Sequence, residues 1–118
     1  MLDGYAYETR SEQLLEDYGF RIVARRYRCK AGEVDLIAHD GQCLVFVEVR
    51  ARCSRSHGGA AASVDRRKQL KINRCAAFFL RQNPAWSNYP ARFDVIAWEP
   101  SALSGKIEAR WIQSAFLG

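Results

Sequence analysis

The chain has 118 residues, 48% of them hydrophobic and 26% charged, and a formal net charge of +5. That is the length of one domain, expected over residues 1–118, and it buries roughly two-thirds of its unfolded surface without staples. No apolar run approaches ~20 residues, so neither a membrane span nor a membrane partner is expected. Met1-Leu2-Asp3-Gly4 lacks the basic-then-apolar pattern of a signal peptide, which makes a cytoplasmic protein the expectation.

The charge is unevenly placed. Residues 1–20 carry five acids and one base, Arg10, whereas residues 21–74 carry thirteen bases and five acids. A basic middle around a few acids suits a polyanion bound over a cation site. A solvated basic surface is the plainer reading. The four cysteines, Cys29, Cys43, Cys53 and Cys75, contain no C-x-x-C pair, so zinc spacing is absent. Cys43 and Cys75 sit in apolar contexts and read as small core residues, and no disulfide framework is expected.

In chain order, residues 5–17 predict a first helix, with Gly19 as its C′ residue. Residues 20–27 predict a strand, basic at its exposed positions. Residues 33–39 and 42–50 predict a hairpin turning at Asp40-Gly41, since both residues tolerate positive φ. Residues 51–64 lack periodicity, include Gly58-Gly59 and read as a loop. Asp65 is the expected N-cap of a second helix over 66–82, which Asn83-Pro84 ends. Residues 91–99 and 107–113 predict two further strands. The order α-β-β-β-α-β-β implies an α/β fold, a mixed central sheet flanked by helices.

The hairpin carries the chemistry. Glu33 and Asp35 share one face of the first strand, and Glu48 lies on the second. A two-residue turn would place Glu33 opposite Glu48, with Asp35 diagonal to it at ~7–8 Å between α-carbons, though a bulge or slip would change the partners. Carboxylates inside apolar strands are costly unless neutralised, and hard oxygen ligands suit Mg²⁺ or Mn²⁺. Such an ion can polarise a phosphodiester and activate water. The plainer reading pairs these acids with Arg50, Arg52 or another base. The start of the second helix, Arg66, Arg67, Lys68, Lys71 and Arg74, is the expected phosphate-binding surface, with a favourable dipole at its N-terminus. Arg25, Arg26, Arg28 and Lys30 extend it. No base-reading motif is present, so DNA would be recognised through backbone and shape. His57 reads as a solvated loop histidine. Asp94 in Arg92-Phe93-Asp94 reads as an acid paired with Arg92 or hydrogen-bonded in the interior, and Trp86, Trp98 and Trp111 as core.

Gly32-Glu33-Val34-Asp35-Leu36-Ile37-Ala38, followed by Phe46-Val47-Glu48-Val49-Arg50-Ala51-Arg52, resembles the YraN-like family of bacterial proteins. Gly4 to Glu8, Gly58, Lys68 and Arg92-Phe93-Asp94-Val95 fall where that family's other motifs fall. The family in turn resembles Holliday junction resolvases of the PD-(D/E)XK nuclease superfamily, with a restriction-endonuclease-like αβββαβ core. The resemblance implies Asp35 and Glu48 as catalytic metal-binding acids, Glu8 as the acid completing the metal shell, and Glu33 as an accessory acid. It implies a nuclease acting on structured or branched DNA, Mg²⁺ or Mn²⁺ as cofactor, Arg52 beside the DNA, and a homodimer. Gln69 matches a glutamine that some members place near the metal. One position departs: Arg50 stands where the superfamily has lysine. Arginine cannot act as a base, yet it can hold a phosphate oxygen. Lys68 is the lysine placed to substitute. Arg50 also supports the alternative, a non-catalytic nucleic-acid-binding module that keeps the nuclease fold.

Overall fold

The computed structural model describes residues 5–52 and 60–118; Cys53, His57 and Gly58-Gly59 lie outside them. Helix α1 spans Ala6–Asp17. It ends where Gly19, at φ +86°, turns the chain back. The Gly19 N–H donates to the Glu16 carbonyl and the Phe20 N–H to the Leu15 carbonyl, each at 3.0 Å. These two bonds satisfy carbonyls a helix end otherwise leaves bare, and buried Phe20 and Leu15 share one apolar cluster.

Five strands follow: β1 Arg21–Cys29, β2 Gly32–His39, β3 Leu44–Ala51, β4 Ala91–Pro100 and β5 Ile107–Phe116. They form one sheet in the order β1-β2-β3-β4-β5. Only β3 and β4 run parallel. A parallel pair needs a crossover, and helix α2, Arg66–Gln82, supplies it. The Asp65 carboxylate caps α2 by accepting from the Lys68 N–H at 3.0 Å. Asn83 closes its far end before Pro84. No helix among the described residues is long and apolar enough to cross a membrane.

Each helix covers one face. On the α2 side, Val34, Ile37, Phe46 and Val95 pack with Ile72, Cys75, Ala76 and Phe79. On the α1 side, Leu36, Ala38, Val45, Val47, Val49 and Ile96 pack with Leu15, Phe20 and Trp98. Strand β3 is buried from Leu44 to Val49, as expected of a strand covered on both sides. Burying a side chain such as Phe46 contributes about 1.5–3 kcal/mol. All seven predicted elements form, giving the expected αβββαβ core with β5 added at the edge.

Two local features depart from the sequence reading, and both bear on the acids. The first is the hairpin register. His39 pairs with Leu44 and Leu36 with Val47, so the loop is four residues long rather than two. The Asp40 carboxylate causes this by accepting from the N–H groups of Gln42 and Cys43 at 2.9 and 2.8 Å. A side chain satisfying backbone donors competes with a tighter turn. The two-residue shift removes Glu33 from opposite Glu48. The step beyond Leu36–Val47 instead brings Asp35 to Glu48.

The second feature is a change of face. Val34 packs on the α2 side and Leu36 on the α1 side, although strict alternation would place them together. Strand β1 does likewise: Tyr27 packs edge-on against Phe79 of α2, while Arg25 pairs with Glu12 of α1. Between them Arg26 takes φ +47°, a left-handed conformation costing a non-glycine residue about 1 kcal/mol or more. Asp35 therefore lies at the point where the strand switches faces.

Candidate active site

The site begins with two carboxylates held by backbone. Val49 N–H donates to Asp35 Oδ2 at 2.8 Å, and Asp35 N–H lies 3.4 Å from Glu48 Oε1. Glu48 is buried, 4% exposed, among apolar β3 neighbours. Burial and the adjacent Asp35 charge push its carboxyl up to about 8, against the pull of Arg50. Burial also raises Asp35, opposed by the Val49 N–H and Arg50, with Glu33 adding to the rise. Two carboxyls in one low-dielectric place cannot both ionise cheaply, so a proton or a cation is favoured between them.

Helix α1 adds Glu8. Its carboxyl is pushed up to about 7 by burial and by Asp35, against Arg26. Glu8 Oε1 lies 4.0 Å from Arg26 Nη1. The left-handed turn at Arg26 thus sits opposite Asp35 and beside Glu8. The sequence reading missed this pair. The signal was present, since Glu8, Glu12 and Glu16 recur at helical spacing and Arg25-Arg26 follow on the next strand. Glu33 behaves differently. It pairs across the β1–β2 ladder with Arg28 at 3.3 Å, and Arg28 is largely solvent-exposed. Among the described residues, no three His, Cys, Asp or Glu side chains converge at metal-ligand spacing. What the fold brings together is the contacting pair Asp35–Glu48, with Glu8 near enough for its charge to be felt.

Arg50 lies two residues beyond Glu48 on the same face of β3. Its Nη2 is 2.8 Å from Glu48 Oε2. Its Nε is buried and has no hydrogen-bond partner among the described residues. The neighbouring Arg52 is exposed, with its Nη1 on the Ala51 carbonyl.

The basic helix start is exposed at Arg66, Arg67, Lys71 and Arg74, while Lys68 is half-buried. Arg67, Lys71 and Arg74 recur at i, i+4 and i+7 and so share a stripe of α2. A Cβ on Gly32 would sit 3.6 Å from Lys71 Cβ, so the Lys71 stem lies against the β1–β2 turn just before Glu33. That contact sets the basic stripe beside the acid-bearing strand. Gln69 turns away, donating to the Val64 carbonyl at 3.1 Å.

The remaining polar candidates are structural. Asp94, fully buried, accepts from Arg92 Nε at 3.1 Å, from Trp111 Nε1 at 2.9 Å and from Ser114 N–H at 2.9 Å. It holds the irregularity in the β4–β5 ladder, where Ser114 takes φ +50°. Trp98 Nε1 donates to buried Ser11 Oγ at 2.8 Å, and Trp86 packs on His39.

Relatives carry this sequence along most of their length. A UPF0102 protein of Pseudomonas putida (strain GB-1) is 42% identical over 113 residues, covering 96% of this chain and 91% of the relative. One from Pseudomonas syringae pv. tomato is 47% identical over 107 residues, covering 88% and 84%. Among solved structures, Pyrococcus furiosus SfsA in complex with Ca²⁺ is similar at a TM-score of 0.46 and 13% identity. That match covers 96% of this chain, which spans 64% of the solved chain's length. The model of the uncharacterised protein family UPF0102 matches residues 7–98, and the chain belongs to that family, a PD-(D/E)XK nuclease-like group.

Proposed function

We propose that this protein is a divalent-metal-dependent nuclease that hydrolyses phosphodiesters in DNA, branched or otherwise structured. The observation that carries the reading is the pairing of half-buried Asp35 with buried Glu48, whose carboxyls burial pushes up and a cation between them would bring down. All-oxygen donors of this kind fit Mg²⁺ or Mn²⁺, and Asp35 and Glu48 would hold the ion, with Glu8 completing the set and Glu33 at the rim. When bound, the ion supplies Lewis acidity to the phosphate and to an attacking water.

The chain's own residues do the rest. Arg50 anchors Glu48 through Nη2, and its buried Nε, without a partner among the described residues, would take a phosphate oxygen. The Val49 N–H fixes the Asp35 carboxylate, so the acids need little reorganisation. The stripe Arg67, Lys71 and Arg74, together with Arg66, Lys68 and Arg52, receives the DNA backbone. Cutting both strands of a branched substrate suits a homodimer.

The test is cleavage of a panel of branched, duplex and single-stranded DNA with Mg²⁺ or Mn²⁺. Wild type is expected to cut at least one member, and E48Q and D35N are expected to lose that activity. Absence of any cleavage, or full activity in E48Q, would overturn the proposal. The second reading, a non-catalytic DNA-binding module, is favoured by the Arg50–Glu48 ion pair, which neutralises Glu48 without a metal. It predicts salt-sensitive DNA binding with no uptake of metal by calorimetry.

A further inference from the structure

The sequence reading placed Cys75 in the core and expected no disulfide framework; the fold packs Cys29 against the same core cluster. Cys29 ends β1 and pairs with Gly32 across the tight turn into β2. Cys75 lies on α2, four residues and one turn beyond Lys71, whose stem rests on that Gly32. Cys75 is fully buried, and Cys29, half-buried, packs against the same cluster. Each thiol lies close enough to shift the ionisation of the other. Ala31 N–H donates to Cys29 Sγ at 3.2 Å. Cys29 is thus the more exposed of the two residues.

We propose that Cys29 and Cys75 form a reversible thiol–disulfide pair that is oxidised by small-molecule disulfides and that ties the β1–β2 turn to α2. The reaction is exchange. The Cys29 thiolate attacks one sulfur of oxidised glutathione, forming a mixed disulfide and expelling one glutathione thiolate. Cys75, losing its proton, then attacks Cys29 Sγ and expels the second. Two protein thiols are oxidised to one disulfide, and one glutathione disulfide is reduced to two thiols.

The electronic setting agrees with this order. Burial works to raise Cys29, but hydrogen bonds from Cys75, Ala31 and Gly32 leave it below the ordinary thiol value. Burial and the neighbouring Cys29 push Cys75 up to about 12. A reactive outer sulfur with a protonated resolving partner is the arrangement that exchange chemistry uses. The link would fix Gly32 and Glu33 against Lys71, between the acid-bearing strand and the basic stripe. The pair stands on its own geometry, whether or not the protein cuts DNA.

The test uses the native full chain and a Cys43→Ser/Cys53→Ser variant, each equilibrated with oxidised glutathione, alkylated and mapped by mass spectrometry. A Cys29–Cys75 cross-linked peptide, formed without denaturant and removed by dithiothreitol, is expected in both. The oxidised protein should also show a higher urea midpoint than its reduced form, a shift that Cys29→Ser abolishes. Glutathione adducts or cross-links confined to Cys43 and Cys53, or a Cys29–Cys75 link formed only in denaturant, would overturn the proposal.

Discussion

Glu48→Gln tests the Asp35–Glu48 pair through stability alone. The Glu48 carboxyl moves from 4.5 to about 8 on folding. Because the folded value is the higher one, the native state binds the extra proton. The stability tied to that proton is complete below the unfolded value, declines as pH rises above it, and is gone beyond about pH 8. At about 1.4 kcal/mol per pKa unit, the ceiling is about 5 kcal/mol, of which about 3 kcal/mol is lost by about pH 7. Asp35 titrates with Glu48 and is raised in the same direction, so a loss of about 3 kcal/mol between about pH 5 and about pH 8 is the expected size. Glu8, raised to about 7, acts in the same direction. Glutamine keeps the shape of Glu48 and cannot ionise, though it gives up the ion pair with Arg50. The variant is therefore expected to be no more stable than wild type near about pH 5, and more stable by about 1–2 kcal/mol near about pH 8. Urea denaturation followed by circular dichroism across that range measures both curves. Added Mg²⁺ should raise the wild-type midpoint at the alkaline end and leave the variant unmoved, because only an ion held by the native state stabilises it. Parallel stability–pH curves for the two proteins would refute the reasoning.

Removing the cap of α2 with Asp65→Ala should cost about 1 kcal/mol in urea denaturation, because the Lys68 N–H loses its acceptor; an unchanged midpoint would mean that water replaces the cap at no cost. Replacing Arg67, Lys71 and Arg74 together by alanine should weaken DNA binding and reduce the slope of log affinity against log salt by about 2–3, roughly 0.9 per lost duplex phosphate contact. An unaltered slope in a filter-binding or anisotropy titration would exclude this stripe as the DNA-facing surface.

The helices were legible because their ends are written in local chemistry. Asp65 caps α2 through a bond that needs only the next three residues, and Gly19 closes α1 with a positive φ that glycine adopts freely. The acids were legible as a pair because both candidate registers keep Asp35 and Glu48 on one side of the hairpin. Their partners were not. Asp40-Gly41 favours a two-residue turn, and only the Asp40 carboxylate reaching two N–H groups makes the loop longer. Nor does sequence place Arg26 in the left-handed region, since that conformation is imposed where β1 and β2 change faces. The parallel pairing of β3 with β4 and the meeting of Cys29 and Cys75 at one core cluster join segments far apart in the chain, and local pattern carries no record of either.

Arg50 ties these features together. It is the one cation in direct contact with the Glu48 carboxylate among the described residues, and it stands where the nuclease-like group would lead one to expect lysine. A lysine could offer Glu48 a point charge and nothing more in that direction. The guanidinium is a fixed fork of several donors, and one of them, the buried Nε, has no partner among the described residues. An unmatched buried donor costs about 1–3 kcal/mol, and a raised buried carboxyl carries a penalty of its own. A phosphate oxygen at Nε would relieve the first cost, and a cation at Asp35 and Glu48 would relieve the second. Each ligand also favours the charge state the other requires: a cation holds the acids ionised, while an anion offsets the positive charge gathered around Arg50. Binding of metal and phosphate should then be mutually reinforcing, each raising the affinity for the other by the same factor.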